Sequence, residues 1–126
     1  MIEQLESERY GLERAVRVRL HANGAQQITL IAPEEAHIRS AGVAGFVRPI
    51  GSADTSGKFT ITCAGRSCDG AELTIELLSA NPVVFTVVGA RGGLPASAAP
   101  LVRARPRFAR PQYTADETLA VTHVSL

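Results

Sequence analysis

Short runs that alternate between apolar and polar side chains recur along this chain and constrain its fold more than any other feature. In residues 15–21, Val16, Val18 and Leu20 alternate with basic side chains. A period of two is that of a β-strand with one buried face. Similar runs occupy residues 27–32, 58–63, 72–78 and 118–126. Strands this short, at spacings near ten residues, predict an all-β fold, an antiparallel β-sandwich of about seven to nine strands.

The first two runs are predicted to form a β-hairpin. Asn23-Gly24 lies between residues 15–21 and residues 27–32. Asn-Gly is a strong signal for a two-residue hairpin turn, because both positions then adopt positive φ angles. Residues 15–32 are therefore expected to form two strands paired edge to edge.

The middle of the chain predicts further strands and one loop. Residues 33–39 and 43–49 suggest two short strands separated by Ala41-Gly42, and residues 51–57 suggest an exposed loop. Residues 83–88 are almost all β-branched or aromatic. That composition predicts a central strand covered on both faces.

The chain of 126 residues has the length of one domain. Residues 1–13 are the only helical candidate, because Ile2, Leu5 and Leu12 fall near one helical face. This stretch is short and uncapped, so it is interpreted as a linker or short helical lead-in. Residues 14–126 are predicted to form a single β-sandwich domain.

The N-terminal residues are acidic and lack the apolar core of a secretory signal, and no stretch approaches the roughly 18 consecutive apolar residues of a membrane span. The chain is therefore either cytoplasmic or part of a longer protein whose targeting signal lies elsewhere.

Two cysteines, Cys63 and Cys68, bear on this choice. The intervening residues include Gly65, so the loop can close as a small disulfide, which persists only in oxidising compartments. The alternative is a pair of unbonded cysteines.

The sequence contains no recognisable catalytic or metal-binding pattern. His21, His37 and His123 have no second ligand at metal-binding spacing, and no Gly-x-Ser-x-Gly motif is present. We therefore predict no catalytic, cofactor-binding or metal-binding residue in this chain. A small enzyme whose residues converge only in the fold is the alternative.

An arginine-rich stretch without acidic residues separates Glu76 from Asp116. In an extended segment, Arg103, Arg105 and Arg107 would point in the same direction. Such a surface suits an anionic partner: lipid headgroups or an acidic face of another domain. Nucleic acid is not expected, because few aromatic side chains are placed to stack on bases. A solvated, proline-stiffened loop is the alternative. The predicted interaction residues are Arg91, Arg103, Arg105, Arg107 and Arg110.

The second half of the chain resembles a known type of domain. The resemblance lies in a turn ending at Gly70, the strands at residues 71–77 and 82–88, Gly93-Leu94-Pro95, a proline-rich crossing, and residues 116–122. This order is similar to the C-terminal extracytoplasmic domain of membrane-embedded members of peptidase family M twenty-eight, which are zinc aminopeptidases. The opening of the domain at residues 14–25 fits the same pattern. The chain contains no tryptophan, whereas the family pattern leads us to expect one in the middle strands.

The resemblance implies a non-catalytic accessory domain of a membrane-associated zinc aminopeptidase. Such a domain would lie on the periplasmic side and would pack on the catalytic domain of the same chain or regulate substrate access. Zinc would be held only in that catalytic domain, so no cofactor is expected in the present chain. An anionic membrane surface is a second expected partner. The rival hypothesis is a free-standing extracytoplasmic module that binds carbohydrate or an anionic surface.

Overall fold

The computed structural model describes residues 1–51, 58–109 and 115–126. These residues form two antiparallel sheets, one of five strands in the order β1-β2-β7-β4-β5 and one of four strands in the order β6-β3-β8-β9. The elements are β1 (Ile2–Tyr10), β2 (Glu13–Leu20), β3 (Gln27–Ile31), β4 (Ile38–Val43), β5 (Phe46–Pro49), β6 (Thr60–Ala64), β7 (Glu72–Leu77), β8 (Val84–Gly92), α1 (Ala99–Ala104) and β9 (Glu117–Ser125). The predicted all-β antiparallel sandwich is confirmed. The loop predicted at residues 51–57 falls, except for Gly51, outside the described residues.

The core lies between the central strands of the two sheets. β2 and β7 are central in the five-stranded sheet, and β3 and β8 are central in the four-stranded sheet. The alternation seen in the sequence places their apolar side chains inward, where each contributes roughly 1.5–3 kcal/mol by its burial. The buried cluster includes Val16, Val18, Leu20, Ile28, Leu30, Leu73, Ile75, Leu77, Phe85 and Val87.

The prediction of a linker or helical lead-in for residues 1–13 is wrong. Residues 2–10 form β1, which pairs with β2 along its whole length. A β-bulge between Gln4 and Glu6 interrupts the register. The bulge breaks the period of two, so the three-residue spacing of Ile2 and Leu5 imitates the pattern of a helix. The sandwich therefore begins with this segment rather than at Arg14.

The predicted hairpin of residues 15–32 is also wrong, although its turn forms. Asn23 and Gly24 have φ angles of 50° and 84°, and the Ala25 N–H donates to the Ala22 carbonyl at 2.9 Å. The strands on either side belong to different sheets, since β2 pairs with β1 and β7 while β3 pairs with β6 and β8. The turn therefore carries the chain from one sheet to the other. Each strand has one apolar face, and packing those faces against each other buries both.

The boundaries predicted for residues 33–49 need correction. Residues 34–36 form a 3-10 turn instead of a strand, and Gly42 lies inside β4 instead of between two strands. A Cβ atom at Gly42 would lie 2.2 Å from the Phe46 carbonyl oxygen. Glycine is required there because β4 and β5 approach each other too closely for a side chain.

β8 is central in its sheet, but the prediction that both its faces are covered is wrong. Phe85 and Val87 are buried, whereas Val84 on the opposite face is exposed. β8 continues as far as Gly92, and the proline-rich residues that follow it contain α1. Proline is compatible with this helix because Pro100 lies in its first turn, where a missing N–H costs nothing.

The outward faces of the two sheets differ in their chemistry. The five-stranded sheet carries ion pairs: Arg17 with Glu6 at 2.7 Å, and Arg19 with Glu72 at 2.7 Å and with Glu3 at 3.8 Å. At the outward positions of the four-stranded sheet, Glu117 at the start of β9 is the one Lys, Arg, Asp or Glu among the described strand residues, and the remaining positions hold none. These positions are Thr60, Thr62, Ala64, Gln27, Thr29, Ile31, Val84, Thr86, Val88, Ala90, Leu119, Val121, His123 and Ser125.

The Arg19–Glu72 pair makes stability depend on pH. Its hydrogen bond holds the pKa of the Glu72 carboxyl below the usual value, and attraction to Arg19 and Arg17 acts in the same direction. A carboxyl with a lowered folded-state pKa stabilises the fold above its unfolded pKa, and this contribution is lost as the pH falls through the folded value. We therefore expect Glu72→Gln to be less stable than the wild type to urea at neutral pH, with a difference that shrinks as the pH falls below the usual pKa of a glutamate carboxyl.

A double-mutant cycle provides the control for this pH dependence. In an Arg19→Gln background, Glu72→Gln is expected to have a smaller pH-dependent effect, because the hydrogen-bond donor is gone. An undiminished effect in that background would assign the pH dependence to another group.

Candidate functional site

Three connections meet at the end of the sandwich where β2 ends and β3 begins, which we call the loop end. They are the turn at residues 21–26, the disulfide-containing loop at residues 64–71 and the connection from β8 to β9. Gln26 lies in the turn and links it to the disulfide-containing loop and to the last residue of β8, where the third connection begins. Its carbonyl accepts from the Gly65 N–H at 2.8 Å, and its side-chain oxygen accepts from the Gly92 N–H at 3.2 Å. In β-sandwiches, loops clustered at one end are the usual position of binding sites.

The loop at residues 64–71 is closed by a disulfide between Cys63 and Cys68. Cys63 lies on β6, and Cys68 is buried in the core. Hydrogen bonds connect this loop to both sheets: Gly65 bonds to Gln26 at the start of β3, and the Gly70 N–H donates to the Leu20 carbonyl at 2.9 Å. The disulfide loop therefore bridges the two sheets at the loop end.

Residues 93–116, which we call the β8–β9 loop, connect two strands that are direct neighbours. Antiparallel neighbours can be joined by two residues, so a connection of this length is much longer than the pairing of the strands requires. The base of the loop is closed. The Gly93 N–H donates to the Asp116 carbonyl at 2.8 Å, and the Thr118 hydroxyl donates to the Gly93 carbonyl at 2.7 Å.

Arg105 fixes the loop instead of presenting a free charge. Its two terminal nitrogens donate to the two Asp116 carboxylate oxygens at 2.9 and 3.1 Å. This hydrogen bonding raises the pKa of the Arg105 guanidinium, and attraction to the same carboxylate adds to the effect. Bidentate pairs of this kind are geometrically specific. The expectation that Arg103, Arg105 and Arg107 point the same way is wrong, because α1 interrupts the extended backbone and the middle arginine turns to the base of the loop.

The tip of the β8–β9 loop combines apolar and cationic side chains. Phe108 is 88% exposed, and Leu101 and Val102 are exposed on α1. No residue of α1 is buried. Arg103 and Arg107 are also exposed, and neither forms an ion pair with any residue in the described ranges. The described side chains of the tip are therefore exposed to solvent, and their net charge is positive.

The structure separates the remaining predicted arginines. Arg91 lies on β8 opposite Thr118, outside the tip. Arg110 lies outside the described residues. The predicted interaction surface is thus divided: Arg91 lines a cleft, Arg105 closes the base of the loop, and Arg103 and Arg107 lie at the tip.

Two clefts open at the loop end. One, of about 420 Å³, lies between the N-terminus and β9 and is lined by Met1, Ala22, Gly89, Arg91, Ala120 and Thr122. The other, of about 580 Å³, lies over the turn at residues 21–26 and is lined by polar groups including His21, Asn23, Gln26, Arg66 and Asp69. The Asp69 carboxylate accepts from the Ala22 N–H at 2.9 Å, which orders the wall between the two clefts.

Sequence reasoning missed Gln26, Arg66 and Asp69 as parts of this site. Each lies in or next to a segment that the sequence identifies as a turn, but no local signal shows that the turns converge. Their convergence depends on β2 and β3 lying in opposite sheets.

The histidines occupy separate positions. His21 contacts Glu3 at 2.9 Å, His123 contacts Thr86 at 3.3 Å, and His37 follows the 3-10 turn with a φ angle of 44°. Within residues 1–51, 58–109 and 115–126, no three His, Cys, Asp or Glu side chains are grouped so that they could hold a metal ion. Over the same ranges, no helix has the length and apolarity needed to cross a membrane.

The fold and site define a class, an all-β sandwich with a long β8–β9 loop closed at its base and a disulfide-closed loop at the same end. A comparison with protein-family models, with curated proteins and with solved structures found no match.

Proposed function

We propose that this chain is a non-catalytic binding domain that attaches to an anionic lipid surface through the tip of the β8–β9 loop. The observation that carries the proposal is the composition of this tip: exposed Leu101 and Phe108 beside exposed Arg103 and Arg107. Apolar side chains can enter the boundary between headgroups and acyl chains, while cations beside them are attracted to anionic headgroups. The two kinds of side chain therefore act on the same partner.

The electrostatics of the β8–β9 loop support an anionic partner over a neutral one. The only acidic residue of the loop is Asp116, and Arg105 neutralises it at the base. Arg103 and Arg107 form no ion pair with any described residue, so their charges are available to an anionic partner. Each basic residue close to an anionic leaflet contributes about 1 kcal/mol, an attraction that salt screens.

The resemblance to the C-terminal domain of family M twenty-eight peptidases extends this proposal to a parent protein. On that basis the domain is an accessory domain of a membrane-associated zinc aminopeptidase, with zinc held by the catalytic domain, and it lies on the extracytoplasmic side. The Cys63–Cys68 disulfide supports such a location, because disulfides persist in oxidising compartments. A membrane-embedded parent also provides the lipid surface that the tip would contact.

Charge reversal at the tip tests the proposal. In flotation assays, the chain is expected to bind vesicles containing phosphatidylglycerol and not vesicles of phosphatidylcholine alone. Arg103→Glu with Arg107→Glu should weaken this binding roughly 30-fold or more, since about 2 kcal/mol of attraction is lost. Raising the salt concentration should weaken wild-type binding in the same direction.

The matched control reverses two arginines far from the tip. Arg39 and Arg48 lie on β4 and β5 at the edge of the other sheet, so Arg39→Glu with Arg48→Glu changes the net charge equally. This variant is expected to retain most of the vesicle binding. If both variants lose vesicle binding equally, net charge alone drives the binding. If the wild-type chain binds a peptidase domain but not vesicles, the partner of the tip is a protein and not a lipid surface.

A fluorescence probe tests whether the tip enters the bilayer. The chain contains no tryptophan, so Phe108→Trp introduces a single reporter at the most exposed apolar position of the tip. Its emission is expected to shift to the blue on addition of anionic vesicles, because the indole ring moves to the apolar boundary. An unshifted spectrum under conditions of full binding would contradict insertion of the tip.

A further inference from the structure

The four sheet edges differ in how well they resist pairing with another strand. β1 has a bulge and the acidic side chains Glu3, Glu6 and Glu8. β5 has four residues and includes Pro49, and β6 has five residues and ends at the disulfide loop. Bulges, charges, proline and short length are the features by which proteins protect their edges.

β9 has none of these features beyond the charge of its first residue, Glu117. It pairs with β8 over nine residues in an unbroken register from Glu117 to Ser125, and from Thr118 to Ser125 it contains no Lys, Arg, Asp, Glu or Pro. Over the described ranges of the chain, no strand pairs with its other edge. A long, regular, uncharged edge presents a row of backbone N–H and C=O groups to which another strand can bond.

Most side chains of β9 are exposed, on both faces of the sheet, although Val124 packs against the core. On the outward face, Leu119 and Val121 are exposed beside half-buried Val88 of β8. On the inward face, Ala120 and Thr122 line the cleft beside Met1 instead of packing in the core. The strand therefore offers apolar and threonine side chains to a neighbour on either face.

We propose that β9 is a strand-addition site whose occupant is β9 of a second copy of this chain. The two strands would run antiparallel and join two four-stranded sheets into one of eight strands. This inference does not depend on the proposed membrane binding, because it concerns the edge of the sheet and not the tip of the β8–β9 loop.

The sequence of β9 is complementary to itself in the antiparallel direction, and this favours a second copy over another partner. With Val121 opposite its own copy, Leu119 lies opposite His123 and Ala120 opposite Thr122. In the same register, Glu117 lies opposite Ser125. No like charges face each other, and apolar or threonine pairs, which stabilise strand pairing, occupy the centre. The pairing is two-fold symmetric, so it closes as a dimer and leaves no free edge at the interface.

Sedimentation equilibrium over a wide range of protein concentration tests this proposal. One strand per copy makes an interface below about 1,200 Å², the size range of weak and transient complexes, so the range extends to the highest soluble concentration. The wild type is expected to dimerise reversibly. A wild type that remains monomeric throughout this range overturns the proposal, whatever other partner the edge has.

Two matched lysine variants locate the interface. Val121 on β9 and Val84 on β8 lie on the same outward face and are 57% and 56% exposed. Val121→Lys places two positive charges opposite each other at the two-fold axis and should weaken dimerisation about tenfold or more. Val84→Lys should leave it unchanged, because Val84 is separated from the edge by β9. Equal weakening by both would show that the copies pack face to face and would overturn the edge proposal.

A cysteine variant provides a second measurement that does not depend on weakened association. The native cysteines are bonded to each other, so Val121→Cys introduces a single thiol. Opposite residues in an antiparallel pair have Cβ atoms about 4.5–5.5 Å apart, near the separation that a disulfide needs. Mild oxidation should therefore link Val121→Cys dimers faster than those of Val84→Cys. Equal rates of linkage would contradict the proposed register.

Discussion

Phe85→Ala is expected to lower the free energy of unfolding by about 3–5 kcal/mol, because it removes a large side chain from a close-packed core. Phe85 is 1% exposed and is the largest of the fully buried side chains. It lies on β8, which is central in the four-stranded sheet. Its neighbours are themselves close-packed, so they can fill only part of the space that the substitution leaves. For a domain with a total stability of about 5–15 kcal/mol, this is a large fraction.

Urea unfolding followed by circular dichroism measures this effect, and a second phenylalanine provides the control. Phe46 is 78% exposed on the edge strand β5, so Phe46→Ala should change stability by no more than about 0.5 kcal/mol. A loss below about 1 kcal/mol for Phe85→Ala, or equal losses for the two variants, would contradict the core described above.

The second large effect is expected from removal of the disulfide. Cys63→Ala with Cys68→Ala should destabilise the domain by about 2–4 kcal/mol. Loop-closure entropy alone accounts for about 2 kcal/mol, since the bridged loop is short, and loss of the buried Cys68 side chain adds a core contribution. Removal of the disulfide should also loosen the structure locally, because the loop at residues 64–71 bridges the two sheets.

Two measurements test the role of the disulfide. A reducing agent should lower the unfolding midpoint of the wild type and leave that of the double alanine variant unchanged. Hydrogen exchange should become faster at the Gly65, Gly70 and Ala22 amides, whose hydrogen bonds hold the loop, than at core amides of β7. A wild type with the same midpoint in both redox states would show that the disulfide contributes nothing to stability.

The two exposed features of this domain lie in different places and predict different behaviour. The tip of the β8–β9 loop carries cations and apolar side chains, so its proposed interaction weakens with salt. The edge of β9 is uncharged between Thr118 and Ser125, so association through it should depend little on salt. Measured over the same range of salt concentrations, vesicle binding should weaken with salt whereas dimerisation should change little, and this difference distinguishes the two proposed interactions.

Sequence reasoning was most successful where a pattern of residues depends only on the local conformation of the backbone. The alternation in residues 15–21 identified β2 and its buried face, since successive side chains of a strand point to opposite faces. Asn23-Gly24 was recognised as a tight turn for the same local reason. The helical prediction for residues 1–13 failed because a β-bulge removed the period of two, and a bulge is visible only when the partner strand is known.

For the arginine-rich stretch, part of the site was predictable from the sequence and part was visible only in the structure. The absence of acidic residues between Glu76 and Asp116 drew attention to the segment that became the β8–β9 loop. Which arginines are available to a partner was not predictable. Arg105 is engaged because Asp116, eleven residues away, is brought back to the base of the loop by the pairing of β8 with β9.

By itself, the sequence determined the class of fold and the faces of most strands, because alternation of side chains is a local property of the backbone. Only the tertiary structure decided which strands share a sheet, which turns meet at the loop end and which edge is left unprotected. The run at residues 15–32 illustrates the difference. Two amphipathic strands joined by a tight turn can pair edge to edge or pack face to face, and their sequence is compatible with both. Burial of both apolar faces in one core selected the second arrangement here.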